Sequence, residues 1–452
     1  MVSFSRPSRW PRWARFLVSA LAVVTMLTAT GVVGYRVLAP ADTVVPASSP
    51  YPERAVATSQ RYGELTSAPL IVDGRLRVYA DPRRVWADAQ VTSRTEQTPY
   101  WTFRRWPAQV AGVVALEGKF EGVALVIVKF SDGVVVALNP RTGRVAWQAE
   151  TKAGARDTFT GRRTGAATVY EPAGLFTARS SKDGAAVLVV AGGDEAIGFD
   201  PWSGERLWFQ SFPENPGCHE TDWTGETTYV VKDSCAAPAE LTVYDAASGM
   251  RLGQWKPPGA LSGPAEEANW FVQPVSCFRG YSRCSLIRAA PVSQVVSAVE
   301  KFESPESGRT ASIWRLNNDG SVEAEKFAQA DNPFLLSGSL IETEVSGIVR
   351  SVDRASGDVQ WRSKSAVMRL VHVDVNGVYV ITPDFRFVVL HPATGVELSR
   401  TDLRKDPGEL WKVGHVHVAG RFVAVERITG AKETASDDRY YTGPTPVVMA
   451  GV

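Results

Sequence analysis

Three regimes of hydrophobic and polar positions follow one another along the chain. The first is an apolar run of 20 residues, Phe16 to Tyr35, that carries no charge. At 1.5 Å rise per residue, a helix of that length spans about 30 Å, the thickness of a bilayer core. Arg6, Arg9, Arg12 and Arg15 precede it with no acidic residue in positions 1–15. The positive-inside rule then places 1–15 as a short cytoplasmic tail and everything after Arg36 outside. The competing reading is a signal peptide cut near Ala39-Pro40-Ala41. Because the apolar run exceeds the usual core of roughly 7–15 residues, we read 16–36 as an uncleaved signal-anchor helix. No Cys occurs in the first 41 residues, so a lipid-anchored form is not expected.

The second regime, 37–63, is rich in Ala, Ser, Thr and Pro (Pro40, Pro46, Pro50, Pro52). Such composition buries little and predicts an extended spacer holding the rest off the membrane. The third, 64–430, consists of short apolar stretches that end in a recurring turn. It reads Val136-Ala137-Leu138-Asn139-Pro140-Arg141-Thr142-Gly143, with Trp147 four residues on. The phrase returns with Asp200, Gly204 and Trp208, and with Asp353, Gly357 and Trp361. Weaker copies carry Asp245 and Gly249, with Trp255 further along, and His391 and Gly395 with no Trp. Degenerate ones lie at Asn317–Gly320 and Asp81–Trp86. An Asp or Asn side chain accepts bonds from backbone N–H groups two residues on. The Gly supplies the positive φ that closes a hairpin. The Trp is large enough to fill the space between neighbouring sheets. Return at roughly 40–60 residues predicts stacked or radial copies of one unit.

These residues resemble the PQQ-like (quinoprotein-type) β-propeller repeat family over roughly 65–430. The resemblance implies an all-β propeller of four-stranded antiparallel blades, with the phrase joining the two outer strands. Seven phrases predict seven blades; a further blade in the long gap between Gly249 and Gly320 makes eight. The apolar strands His415–Val418 and Phe422–Glu426 have no phrase after them, so pairing the two chain ends in one blade removes free sheet edges. Over 431–452 a C-terminal tail adds Val447-Val448-Met449 to that closure or trails free.

The four cysteines, Cys218, Cys235, Cys277 and Cys284, all follow the apolar run. Outside the cytoplasm disulfides are their natural fate. Of three connectivities, proximity favours Cys218–Cys235 and Cys277–Cys284. Spacings of 17 and 7 do not suit a zinc knuckle.

Net charge is +1 and no basic stripe exists, so nucleic-acid binding is not expected. The Ala- and Arg-rich, Lys-poor composition suits an actinobacterial envelope protein. Quinone-dependent members of the resembled family pair adjacent cysteines over the cofactor and hold calcium with carboxylates and amides. The cysteines here are well separated and no matching carboxylate motif is found. Trp101, Trp106, Trp202, Trp223 and Trp270 could stack on a quinone, but packing roles are expected of each. His415 and His417 stand two apart on a strand without a third metal ligand; His219, His372 and His391 form no motif. No nucleophile elbow or phosphate loop appears. No cofactor, metal or catalytic residue is predicted. The expected function is a non-catalytic extracytoplasmic binding or scaffold module that meets an envelope protein through propeller loops. The alternatives are a PQQ-dependent oxidoreductase and a ligand-binding sensor. The inserts around Cys218–Cys235 and over 258–310 depart most from the repeat and are the first places to look for contacts.

Overall fold

The computed structural model of the chain describes all residues except 1–10, 39–40, 119–123, 155–156, 213–217, 220–221, 237–238, 258–269, 292–311, 331, 429–440 and 442. Parts of the 258–310 insert and of the 431–452 tail therefore lie outside the described residues. Among those described, one helix, Arg12–Leu38, is long and apolar enough to cross a membrane; Phe16–Gly34 has a mean hydropathy of 2.2.

The strands form eight antiparallel sheets of four, one of them extended by a fifth strand. Blade 1 contains Leu70–Val72, Leu76–Asp81, Arg84–Ala89 and Trp101–Trp106 from the axis outward. Blades 2 to 7 occupy 110–150, 175–211, 223–255, 270–324, 334–366 and 369–402. Apolar clusters join every neighbouring pair, including blade 8 to blade 1. A sheet held between two others buries both faces, so its middle strands read as unbroken apolar runs. Val134–Leu138 is buried at all five positions, whereas the outer strand Val145–Glu150 is mostly exposed.

Eight blades replace the expected seven. Blade 8 takes Lys412–Ala419, Phe422–Ile428 and Val447–Gly451 from the end of the chain and Arg61–Leu65 from near its start. Its outermost pairing is made between segments distant in sequence, so no hairpin turn is needed there and counting turns misses the blade. The gap between Gly249 and Gly320 holds no additional sheet among the described residues. Its strands Trp270–Val275 and Leu286–Pro291 are the inner half of blade 5.

The expected spacer is docked on the ring rather than extended from it. Ala41–Val45 pairs with Trp101–Trp106 as the fifth strand of blade 1, from Ala41 opposite Trp106 to Val45 opposite Thr102. The chain then crosses the ring face. Ala47 N–H donates to the Thr142 carbonyl, and Ala55 N–H to that of Gly74.

The recurring turn works as an interblade socket. Oδ1 of Asn139, Asp200, Asp245 and Asp353 each accepts from the N–H two residues on, and Nδ1 of His391 does the same. The Trp of one blade lies on the turn of the next. Nε1 of Trp101, Trp147, Trp208 and Trp361 donates to the carbonyls of Pro140, Pro201, Ala246 and Pro392 at 2.7–2.8 Å. A Cβ at Gly143, Gly204, Gly249 or Gly395 would stand 2.5–2.8 Å from the indole seated there. Where Trp is missing, Leu252 sits against Gly320 and Phe327 against Gly357. Trp255 is not the docking residue of blade 4; it packs on Trp314.

Asp81–Trp86 is also not an outer hairpin. It joins the second and third strands of blade 1. The outer pair there is joined by residues 90–100, held by a buried Arg77–Asp88 pair. Arg77 donates to both Asp88 oxygens at 2.8 and 2.6 Å and to the carbonyls of Ser93 and Thr95. That clamp takes the place of the turn and delivers Trp101 to its socket.

Candidate functional site: a plugged channel under a basic basin

The inner strands surround the ring axis, and two segments enter from opposite faces. One is the hairpin 276–285 of blade 5, on the face that carries the socket turns. Its ends are joined by the Cys277–Cys284 disulfide. Within it, Ser282 N–H donates to Arg279 O at 2.9 Å and Phe278 N–H to Ser282 O at 3.0 Å. Ser276, Gly280 and Arg283 have positive φ, which folds the segment back on itself. It is fastened to blades 3 and 4. Thr224 N–H donates to Tyr281 O, Cys284 N–H to Thr224 O, and Thr177 N–H to Ser282 Oγ.

The second segment enters through the face that carries the connections between blades. It contains the short helix Ala166–Tyr170, packed on the inner strands of blades 2 and 8. The two meet on the axis. A Cβ at Gly280 would lie 2.8 Å from the Tyr170 carbonyl oxygen, so the hairpin tip accepts glycine alone without a shift. Tyr170 also stacks on His417 at 4.7 Å, and its hydroxyl donates to Pro69 O.

Arg279 projects into this enclosed space and donates to Ala115 O at 3.4 Å. Burial lowers the pKa of its guanidinium. Burial, and then the Arg279 charge, holds His417 well below the usual imidazole range. His372 is pulled down by burial too, against the nearby Asp374. Both imidazoles are thus pushed toward the neutral form beside a cation.

Outward from the plug lies a basin of about 950 Å³. Arg54, Arg179, Arg279, Arg283 and Arg421 line it, against Glu117 and Asp374. Glu226 bridges Arg179 and Arg283 from one side. Trp202 and Phe278, 37% and 45% exposed, stand at its margin. The arrangement is cationic, aromatic-edged and rigid, suited to holding an anionic and partly apolar surface.

On the opposite face the ring is latched. Glu426 in blade 8 is buried; it accepts from Thr164 Oγ1 at 2.8 Å, Arg162 Nη1 at 2.9 Å and Tyr441 OH at 3.0 Å. His415 Nδ1 lies 3.0 Å from the same carboxylate, with Glu171 3.8 Å from its other nitrogen. Burial opposes charge on both groups and is outweighed. His415 is raised to about 9 by Glu171 and Glu426, and Glu426 is lowered to about 2 chiefly by His415. His415 and His417 therefore make different contacts, the first with carboxylates and the second with the Tyr170 ring.

Cys218 and Cys235 form the other disulfide, on the same face as the latch. His219 packs on Phe212 nearby. Of the tryptophans considered for a quinone, Trp101 and Trp223 are fully buried between blades and Trp106 is 41% exposed on the outer strand of blade 1. Trp202 lies in a socket turn and Trp270 in the inner strand of blade 5. They are not gathered at one place. Sequence reasoning missed Arg279, Arg421 and the Glu426 latch. The only signal was the irregular insert that contains Arg279.

Residues 54–183 match a PQQ-like repeat family model described as outer membrane protein assembly factor BamB. No curated protein sequence matches the chain. Among solved structures, BamB from Moraxella catarrhalis is similar at 13% identity and a TM-score of 0.43, covering 90% of this chain and 97% of its own. A computationally designed protein, Ika8, gives 13% identity and 0.44, over 88% and 100%. The C-terminal WD40 domain of Sif2 gives 10% and 0.42, over 89% and 99%. Its eight four-stranded blades and interblade turn sockets make the chain a β-propeller, of which residues 54–183 match the PQQ-like repeat model.

Proposed function

We propose that this chain is a non-catalytic binding module of the cell envelope, its ring held outside the membrane by the helix over 16–36. Its working face is the one bearing the socket turns, the 276–285 hairpin and the basic basin. The observation that carries the reading is the plugged axis. A disulfide-clamped hairpin and a helix meet on the ring axis, and the residual space opens outward between arginines and exposed aromatics. A rigid disc with a shaped, charged face suits protein–protein contact. The match of 54–183 to a family described as an assembly factor supports the same reading.

The test is photocrosslinking in intact cells. A photoreactive residue at Val56 or Phe278, both exposed beside the basin, captures a discrete envelope protein identified by mass spectrometry. Capture from Leu398 on the outer rim of blade 7, with none from the basin, overturns the assignment of the face. A quinone absorption band on adding calcium and PQQ to purified protein overturns the non-catalytic reading.

A further inference from the structure

The helix Arg12–Leu38 ends three residues before the strand Ala41–Val45 begins. At 3.8 Å per Cα step, that tether reaches at most about 11 Å. Ala41 is paired with Trp106 at the end of the outer strand of blade 1 that faces the interblade connections. This edge of the ring is thus bound by covalent geometry to stay within about 11 Å of the helix end, however the helix is oriented.

The chemistry of the edge suits that position. Trp106 is 41% exposed, and the Arg104 guanidinium lies 5.9 Å from its ring centre. The adjacent turn between the second and third strands presents Arg83 and Arg84, both exposed. The acid in that turn, Asp81, is engaged by the Arg83 and Arg84 N–H groups and the Arg84 side chain. Asp42 and Asp132 are both held by the inward-facing Arg105 at 2.8 and 2.7 Å. The outward charge is therefore positive, beside an amphipathic indole of the kind enriched at membrane interfaces. Basic residues next to a spanning helix are drawn to anionic headgroups.

We propose that this edge of blade 1 seats on an anionic lipid surface, so that the ring rests on the membrane through its interblade-connection side and presents the basin away from the bilayer. The proposal rests on the reading of 16–36 as a membrane anchor.

The experiment uses the full chain in vesicles of phosphatidylcholine and phosphatidylglycerol. Gln109, exposed close to Trp106, and Val375, exposed on the basin side, are changed singly to Cys and labelled with an environment-sensitive fluorophore. Headgroup spin-labelled lipid is expected to quench the label in Gln109→Cys several-fold more than that in Val375→Cys. Adding Arg83→Glu and Arg104→Glu is expected to remove most of the excess. Equal quenching at both sites, on protein that stays in the vesicle pellet after an alkaline wash, overturns the seating alone. Protein lost from the pellet overturns the anchor reading and the seating with it.

Discussion

The indole Nε1 of Trp208 in blade 3 donates to the carbonyl oxygen of Ala246 in blade 4 at 2.8 Å, and the ring covers Gly249 of the same turn. The contact spends one side chain on two tasks: filling the interblade gap and satisfying a turn carbonyl. Trp208→Ala is expected to destabilise the ring by about 3–5 kcal/mol, the cost of deleting a buried aromatic. Trp208→Phe keeps most of the volume and should lose about 1 kcal/mol for the hydrogen bond. Gly249→Ala should also destabilise, because φ is +69° and the new methyl would stand 2.8 Å from the indole. Chemical denaturation of the three variants checks the order.

The latch at Glu426 predicts a stability plateau with two edges. The pKa of Glu426 is lowered to about 2, so its contribution is fully present above its ordinary value and is lost as pH falls toward 2. The pKa of His415 is raised to about 9. Its contribution is fully present below the ordinary imidazole value and is lost as pH rises through about 9. Glu426→Gln leaves Arg162 and His415 without their carboxylate and should cost on the order of 3 kcal/mol. It should also flatten the alkaline edge between neutral pH and about 9. Thermal midpoints measured across pH for both proteins decide this; an alkaline edge unchanged in the variant would show that the pair is not responsible.

The two disulfides close loops of 17 and 7 residues. On a chain-entropy account they contribute about 3 and about 2 kcal/mol. Replacing both Cys277 and Cys284 with Ser should therefore lower global stability modestly. The local effect should be larger, because the hairpin they close plugs the axis. Hydrogen exchange at the Ser282 and Cys284 amides, which donate to Arg279 O and Thr224 O, is expected to rise well before the blades open. Exchange at these two positions no faster than in the wild-type chain would show that the bridge does not hold the hairpin in place.

The fold was legible where chemistry repeats at a fixed offset. A Gly followed four residues later by Trp encodes both the turn and the side chain that docks on a turn, which is why Gly143–Trp147, Gly204–Trp208 and Gly357–Trp361 announce the architecture. Leu252 and Phe327 do the same work from other offsets. The position four residues after Gly249 is Gly253, so the preceding Leu252 docks instead, and Phe327 follows the last strand of blade 5. Nothing in their local sequence marks them. The fifth strand Ala41–Val45 was invisible for a different reason. It is mostly exposed, so it leaves no buried alternation, and its surroundings are rich in Pro and Ser. The basin was legible only as an irregular, Cys-bearing insert. Its five arginines come from four separate stretches of chain, and their convergence is a property of the ring.

Closure of the ring depends on strands from both ends, and this makes the strongest stability prediction. Val447–Gly451 is buried at every position and lies between Phe422–Ile428 and Arg61–Leu65. Met449 packs with the blade 1 core and Val448 with that shared by blades 7 and 8. Removing residues 447–452 would unpair both neighbouring strands and leave two apolar edges open, the condition that favours aggregation. The shortened chain is expected to lose cooperative unfolding and to sediment as aggregate. Met449→Lys places a charge at a site with no exposure and should act the same way to a lesser degree. Size-exclusion chromatography with denaturation curves checks both, and a truncated chain that remains monomeric with an unchanged midpoint would mean the ring is closed by something other than this strand.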